Sequence, residues 1–400
     1  MKQRAFFKRI GLLPRIIIAI LAGIGDGLVF PEWLGRIFIT FNATFVQFLS
    51  FCIPLIIIGF VSTAISDIGV KAGKMLLFTV VLAYATTFFA GVLSYFTGTL
   101  TFPDILAGTT LPGNTGIVDH SLTPFFVIEM PPIMSVTTAL IVAFFFGLGV
   151  AYLPAGSSLQ RGFTEIKNII VKAIYHVIIP LLPLYIFGIF MNMTISGTVG
   201  PILLTFIKII AVIFIIHIVV LLLEFTAASF FSRKSHNPLK MLYTMLPAYF
   251  TALGTQSSAA TIPVTLAQAK RLGVSEGVAE FVVPLCSTIH MSGSMLKITA
   301  CALALMITQS IPYDTPMFMA FIAMLGITMV ASPGVPGGSI MAALGILSQI
   351  LGFSETDNAL MIALYIAMDS FGTACNVTGD GALSVIVDRF FADKPADPAA

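Results

Sequence analysis

The sequence predicts an all-α polytopic membrane protein with eight transmembrane helices and two re-entrant helical hairpins. Three observations lead there. Of 400 residues, 58% are hydrophobic and 10% charged, and the mean hydropathy is +1.02, far from the balance of a soluble globular chain. Apolar runs of about 20 residues, enough to cross a ~30 Å hydrocarbon core, recur along the whole length. Lys and Arg collect in every second connection, as they do in short cytoplasmic loops.

The spans fall near 10–29, 36–66, 73–98, 134–155, 163–193, 199–230, 276–311 and 357–387. Basic residues precede the first (Lys2, Arg4, Lys8, Arg9), follow the second (Lys71, Lys74) and gather around the link from the fourth to the fifth (Arg161, Lys167, Lys172). They lie again between the sixth and seventh (Arg233, Lys234, Lys240, Lys270, Arg271) and after the eighth (Arg389, Lys394). The 101–133 connection has Asp104, Asp119 and Glu129 and no Lys or Arg. Both termini are therefore expected in the cytoplasm of a multi-pass cell-membrane protein, with membrane lipid as its surroundings. The amino-terminal basic run followed by apolar residues reads as a signal anchor, because no small-residue cleavage site is obvious.

Two hydrophobic stretches break in the middle. The first, 239–269, is interrupted at "GTQSSAATIP" (Gly254 to Pro263), and the second, 317–351, at "ASPGVPGGSI" (Ala331 to Ile340). Each half is too short to cross. Non-helical backbone at membrane depth is tolerated only where it is buried in protein or lines a watery cavity, and a matched pair of such breaks points to a transporter-type binding site. Two ordinary kinked helices are the bland alternative. The seventh span has its own break at "CSTIHMSGSMLK", where His290 and Lys297 sit among Ser and Gly. An intramembrane lysine costs about 2.5 to 3.5 kcal/mol on insertion scales, so Lys297 needs a partner, with Asp369 or Asp380 as candidates.

Those two acids lie in "MDSFGTACNVTGDGALSVI" (Met368 to Ile386). On a helix, Asp369, Thr373, Asn376 and Asp380 are 4, 3 and 4 residues apart and share one stripe roughly 16 Å long. The four cysteines, Cys52, Cys286, Cys301 and Cys375, fall in expected spans and form no C-x-x-C pair, so neither a disulfide framework nor a cysteine metal site is supported. Lys208 and Glu224 of the sixth span read as polar anchors facing the bundle or an interface. The formal net charge of +2 says little about partners, and no nucleic acid is expected among them.

"NVTGD" (Asn376 to Asp380), "SSAATIP" (Ser257 to Pro263) and "GVPGG" (Gly334 to Gly338), with the order of spans around them, resemble the dicarboxylate/amino acid:cation symporters, the family of the glutamate transporters. The resemblance implies a homotrimeric elevator fold. A scaffold, residues 1–70 and 134–195, would hold a mobile transport domain made of 71–133 and 196–391, with 392–400 as a cytoplasmic tail. It implies a small-molecule substrate surrounded by Ser257, Ser258, Ser294, Val335, Ser339, Asp369, Thr373 and Asn376. It also implies one sodium ion near Asp380, Asn376 and carbonyls around Cys286 and His290, and a second near Thr288 and the carbonyls from Met329 to Ser332. No enzyme activity is implied.

The chain departs from the family pattern at several places. "NMDGT" appears as "HMSGS", so His290 stands for an Asn and Ser292 for the Asp of a further sodium site that would include Thr86 and Thr87. The arginines that meet an acidic substrate fall on Gly372 and Gln256. A substrate with a second carboxylate would then be buried without a cation, at a cost of several kcal/mol. The resemblance thus implies symport of a small, neutral amino acid with sodium, protons or both, with a C4-dicarboxylate or acidic amino acid as the alternative. Loss of the acid and gain of Lys297 moves the fixed local charge by two units, which implies fewer coupled cations; His290 is a candidate proton carrier.

Two readings from other classes are weaker. An intramembrane aspartyl protease needs Y-D and G-x-G-D contexts, but Asp314 lies between Pro312 and Pro316, and Val377 stands where the first Gly belongs. An ion channel could use re-entrant loops as a filter, but loops entering from opposite sides suit alternating access better.

Overall fold

A computed structural model describes residues 12–68, 74–107, 122–154, 156–197, 199–232, 237–330 and 337–391. These residues are almost entirely helical and contain no strand. The helices are α1 (Leu12–Gly27), α2 (Glu32–Ile68), α3 (Lys74–Ile105), α4 (Val136–Ala151), α5 (Ser158–Ala173), α6 (Ile179–Ile195), α7 (Val199–Phe231) and α8 (Pro238–Thr255). They continue with α9 (Ser258–Leu272), α10 (Glu276–Ile289), α11 (Ser292–Thr308), α12 (Thr315–Val330), α13 (Gly338–Leu351), α14 (Glu355–Ala367) and α15 (Asp369–Phe391).

Among the described residues, five continuous helical runs are long and apolar enough to cross a membrane: Glu32–Thr63, Lys74–Ile105, Ser158–Ile195, Leu203–Phe231 and Glu276–Thr308. α14 and α15 together make a sixth, but they meet at 62°. The single last span expected over 357–387 is therefore two helices. The break falls at Met368, whose carbonyl accepts from Lys297 Nζ at 3.4 Å. α4 has 16 residues, about 24 Å of helix, so the expected span 134–155 is shorter as continuous helix. The fifth span is one helical run with a π turn at Ile174–Ile178. Pro180, lacking an N–H, cannot bond the carbonyl four residues back, and the ladder widens just before it.

Both interrupted stretches are helix pairs. α8 ends at Gln256, a left-handed residue with φ 54°, and α9 restarts on the Ser257 cap, whose Oγ accepts from the Ala260 N–H at 3.3 Å. α12 and α13 flank residues 331–336, and α13 begins after Gly337, at φ +76°. Val335 and Ser332 lie outside the described residues.

Packing falls into two groups. α1 packs on α6, and α2 on α4, α5 and α6. Gly23 lets α1 approach α6 closely, since a Cβ there would lie 2.5 Å from the Phe187 carbonyl oxygen. The second group gathers α3 and α7 to α15, with α15 touching α7, α8, α9, α10 and α11. At its centre every residue of α11 except Ile307 is buried. α3 by contrast exposes Leu77, Val81, Phe89, Phe96 and Leu100, an apolar stripe at helical spacing suited to lipid.

Candidate functional site

Three helix breaks, after α8, between α10 and α11, and between α14 and α15, bring buried ionisable and polar groups together, among them His290, Ser292, Ser294, Lys297, Asp369 and Ser370. Where α11 meets α15 there are no side chains to hold the helices apart: a Cβ on Gly293 would lie 2.6 Å from both Cys375 Cβ and the Gly372 carbonyl oxygen. That approach lets the Gly293 N–H donate to Asn376 Oδ1 at 2.8 Å. Asn376 Nδ2 donates to Ser294 Oγ at 3.3 Å, and Ser294 Oγ meets the Tyr365 hydroxyl at 3.1 Å. The first residues of α11 would otherwise carry unpaired amides. Asn376 satisfies one, and Thr87 Oγ1 accepts from the Met291 N–H at 3.1 Å.

Asp369 opens α15, where the helix dipole favours an anion. Its Oδ2 accepts from the Gly337 N–H at 2.8 Å, and its Oδ1 from Lys297 Nζ at 3.3 Å. Lys297 has no solvent exposure and lies 3.6 Å from the centre of the Tyr365 ring. Of the two acids that the sequence offers Lys297, the structure selects Asp369. Gly372 is the reason for the fit, since a Cβ there would lie 2.5 Å from Nζ. Gln256 Nε2 donates to Ser370 Oγ at 2.8 Å, so the α8–α9 tip reaches the start of α15 beside Asp369. Ser258, Thr373 and Ser339 are buried close to these tips in sequence, while Ser257 is half-buried as the α9 cap.

About three turns further along α15, the second acid has a different neighbourhood. Asp380 Oδ1 lies 3.0 Å from His290 Nδ1, and Glu224 Oε1 lies 3.3 Å from His290 Nε2. All three are buried. A neutral imidazole carries one N–H, so it donates to only one of two flanking carboxylates. Asp380 Oδ2, both Glu224 oxygens, Ser292 Oγ and Thr378 Oγ1 have no hydrogen-bond partner among the described residues. Two buried carboxyl groups share one imidazole here, a setting in which a cation is stabilised. Gly379 makes room, because a Cβ there would run into Glu224 Oε2.

The sequence offers Lys297 to Asp380 as well as to Asp369, and makes Glu224 a polar anchor; the structure instead places the His290 ring against Asp380 and Glu224 against His290. Only the Glu in a span far from the "NVTGD" motif marked it, and spacing alone does not aim it. Other expected ligands are less free. The Cys286 carbonyl accepts from the His290 N–H at 2.9 Å, while Thr288 is exposed and donates to the Leu285 carbonyl at 2.8 Å. Among the described residues no group of three His, Cys, Asp or Glu could hold a metal ion. A cavity of about 410 Å³ lies elsewhere, between Asn42, Tyr185, Asn192 and Glu355.

Membrane-length helices, paired helical interruptions and ionisable groups gathered at the breaks define a polytopic membrane transporter, not an enzyme. The chain belongs to the sodium:dicarboxylate symporter family, whose sequence profile matches residues 12–390. It is 27% identical over 398 residues to the serine/threonine transporter SstT of Acinetobacter baumannii, covering 96% of this chain and 98% of that protein. The serine/threonine transporter SstT of Acinetobacter baylyi is 25% identical over 406 residues, covering 95% and 98% respectively.

Proposed function

We propose that the protein is a secondary active symporter that moves a small neutral amino acid, with serine and threonine as the first candidates, down a sodium or proton gradient. The observation that carries this reading is the fate of positive charge around Asp369. Gly372 and Gln256 offer none, and Lys297 is already committed to Asp369 Oδ1. A substrate with one carboxylate and one ammonium leaves no charge unpaired there, whereas an acidic amino acid leaves one and a C4-dicarboxylate two. Full-length similarity to serine/threonine transporters points the same way.

In this reading the substrate carboxylate lies at the α9 N-terminus by Ser257 and Ser258, where free amides and the dipole favour anions, with Asn376 and Ser294 beside it. Its ammonium takes Asp369 Oδ2 when the Gly337 tip withdraws. Thr373 and Ser339 complete the walls. The coupling cation is cargo, drawn to Asp380 with Asn376, Cys286 and His290 around it; Thr288 and Ser332 would belong to a second cation. The α8–α9 and α12–α13 pairs act as re-entrant hairpins of a transport domain, 71–133 with 196–391. That domain slides past a scaffold, 1–70 with 134–195, in a homotrimer with cytoplasmic termini.

The test is uptake of radiolabelled serine, threonine, alanine, aspartate and succinate into proteoliposomes under separately imposed sodium and proton gradients. Gradient-driven uptake of serine or threonine, outcompeted little by aspartate or succinate, is expected. Preferential uptake of aspartate or succinate would replace this reading with the dicarboxylate one.

A further inference from the structure

The surroundings of Lys297 Nζ have the composition of a receptor for an ammonium ion. Asp369 Oδ1 stands at 3.3 Å, the Met368 carbonyl at 3.4 Å and the face of Tyr365 at 3.6 Å from the ring centre. A carboxylate, a carbonyl and an aromatic face account for the three directions in which an ammonium presents hydrogens. The Met368 carbonyl sits at the 62° break between α14 and α15, where it also accepts from the Phe371 and Gly372 N–H groups at 3.1 Å. The room is free because residue 372 has no side chain; a Cβ there would lie 2.5 Å from Nζ and 2.6 Å from Cε. Helix break, glycine and ring therefore form a built recess, and its occupant comes from the protein's own α11.

The same carboxylate also holds the tip before α13, through the Gly337 N–H on Oδ2 at 2.8 Å. Asp369 thus has two separate oxygens for two tasks, one facing the tip and one facing Lys297. A carrier that moves a substrate one way must return empty, and an empty site that contained Asp369 alone would present an unpaired buried carboxylate to the membrane interior. We propose that Lys297 is a built-in counter-cation: it fills an ammonium site made by Asp369, the Met368 carbonyl and Tyr365, and so lets the ligand-free carrier reorient without an external cation in that place. This rests on the transporter reading above and adds to it a role in one particular step, the empty return.

Net uptake needs the empty return, whereas exchange of internal for external substrate uses only the loaded carrier. Lys297→Met and Lys297→Ala are compared with wild type for gradient-driven net serine uptake and for serine counterflow in proteoliposomes preloaded with serine, with monodisperse elution as the folding control. Net uptake is expected to fall at least tenfold while counterflow stays within about threefold of wild type, the split that separates the two steps. Propylammonium added to Lys297→Ala, which vacates the recess and its stem channel, is expected to restore part of the net uptake; tetramethylammonium, which has no N–H, is not. Equal loss of both activities without amine rescue, in variants that elute normally, would show Lys297 to be structural, and unchanged net uptake would remove the proposal outright. Failure of the wild type to move serine or threonine in either format overturns the substrate reading instead, and is seen before any variant is made.

Discussion

Gly372→Ala adds one methyl carbon, and its effect follows from where Lys297 lies. The new Cβ would meet Nζ at 2.5 Å, Cε at 2.6 Å and Cδ at 3.2 Å. Carbon contacts settle at about 3.5 to 4.0 Å, so the end of the lysine must retreat by roughly 1 Å. It has little freedom, being fully buried and tied to Asp369, Met368 and Tyr365. If the ammonium leaves, Asp369 becomes an unpaired buried charge at about 3 to 5 kcal/mol; if the helices part instead, overpacking costs about 1 to 3 kcal/mol. The smaller route wins, and we expect about 2 to 3 kcal/mol of destabilisation. In a Lys297→Met background the cation is already gone and the thioether end is flexible, so the same alanine should cost about 1 kcal/mol or less. The coupling between the two sites is then about 1 to 2 kcal/mol. Cys286, Cys301 and Cys375 are buried, so a thiol-reactive dye reports thermal unfolding of wild type and the three variants in detergent. Equal melting shifts from Gly372→Ala in both backgrounds would mean that Lys297 does not fill the recess.

Three further outcomes follow. Asp380→Asn keeps the size but removes the charge beside His290; cation-dependent substrate binding, read by titration calorimetry in sodium against choline, should fall at least tenfold with the oligomer intact, and unchanged ion dependence would place the cation elsewhere. Asp388 Oδ1 accepts from the Ser275 N–H at 2.8 Å and from its Oγ at 2.6 Å, tying the end of α15 to the start of α10; Asp388→Ala should destabilise by about 2 kcal/mol, and a melting point equal to wild type would count against that tie. Hydrogen bonds to Glu276, then Glu280, raise the Lys270 pKa above its ordinary 10.5. A raised folded pKa gives stability that is complete below 10.5 and lost as pH climbs through the folded value. Lys270→Met should therefore melt like wild type near neutrality, as an exposed pair predicts, and lose less than wild type on the alkaline side; a clear neutral-pH deficit would contradict this.

Hydrophobic run length and the Gly/Pro/Ser clusters made the helix pairs at 254–263 and 331–340 legible, because a broken periodicity is a local property. The stripe of Asp369, Thr373, Asn376 and Asp380 was legible for the same reason, since all four share one helix. Partners were not, because they come from elsewhere in the chain: Lys297 had two acids within reach on paper, and Glu224 had no address at all. What settles both cases is the pattern of glycines on α15. Gly372 and Gly379 are seven residues apart and so lie on one face. Each leaves a notch into which a neighbouring helix extends a charged side chain, Lys297 from α11 at the first and Glu224 from α7 at the second. The motif's glycines therefore do more than permit close packing. They sort a cation to Asp369 and an anion toward the His290–Asp380 pair, giving two acids on one helix opposite electrostatic surroundings and, in the reading proposed here, separate tasks.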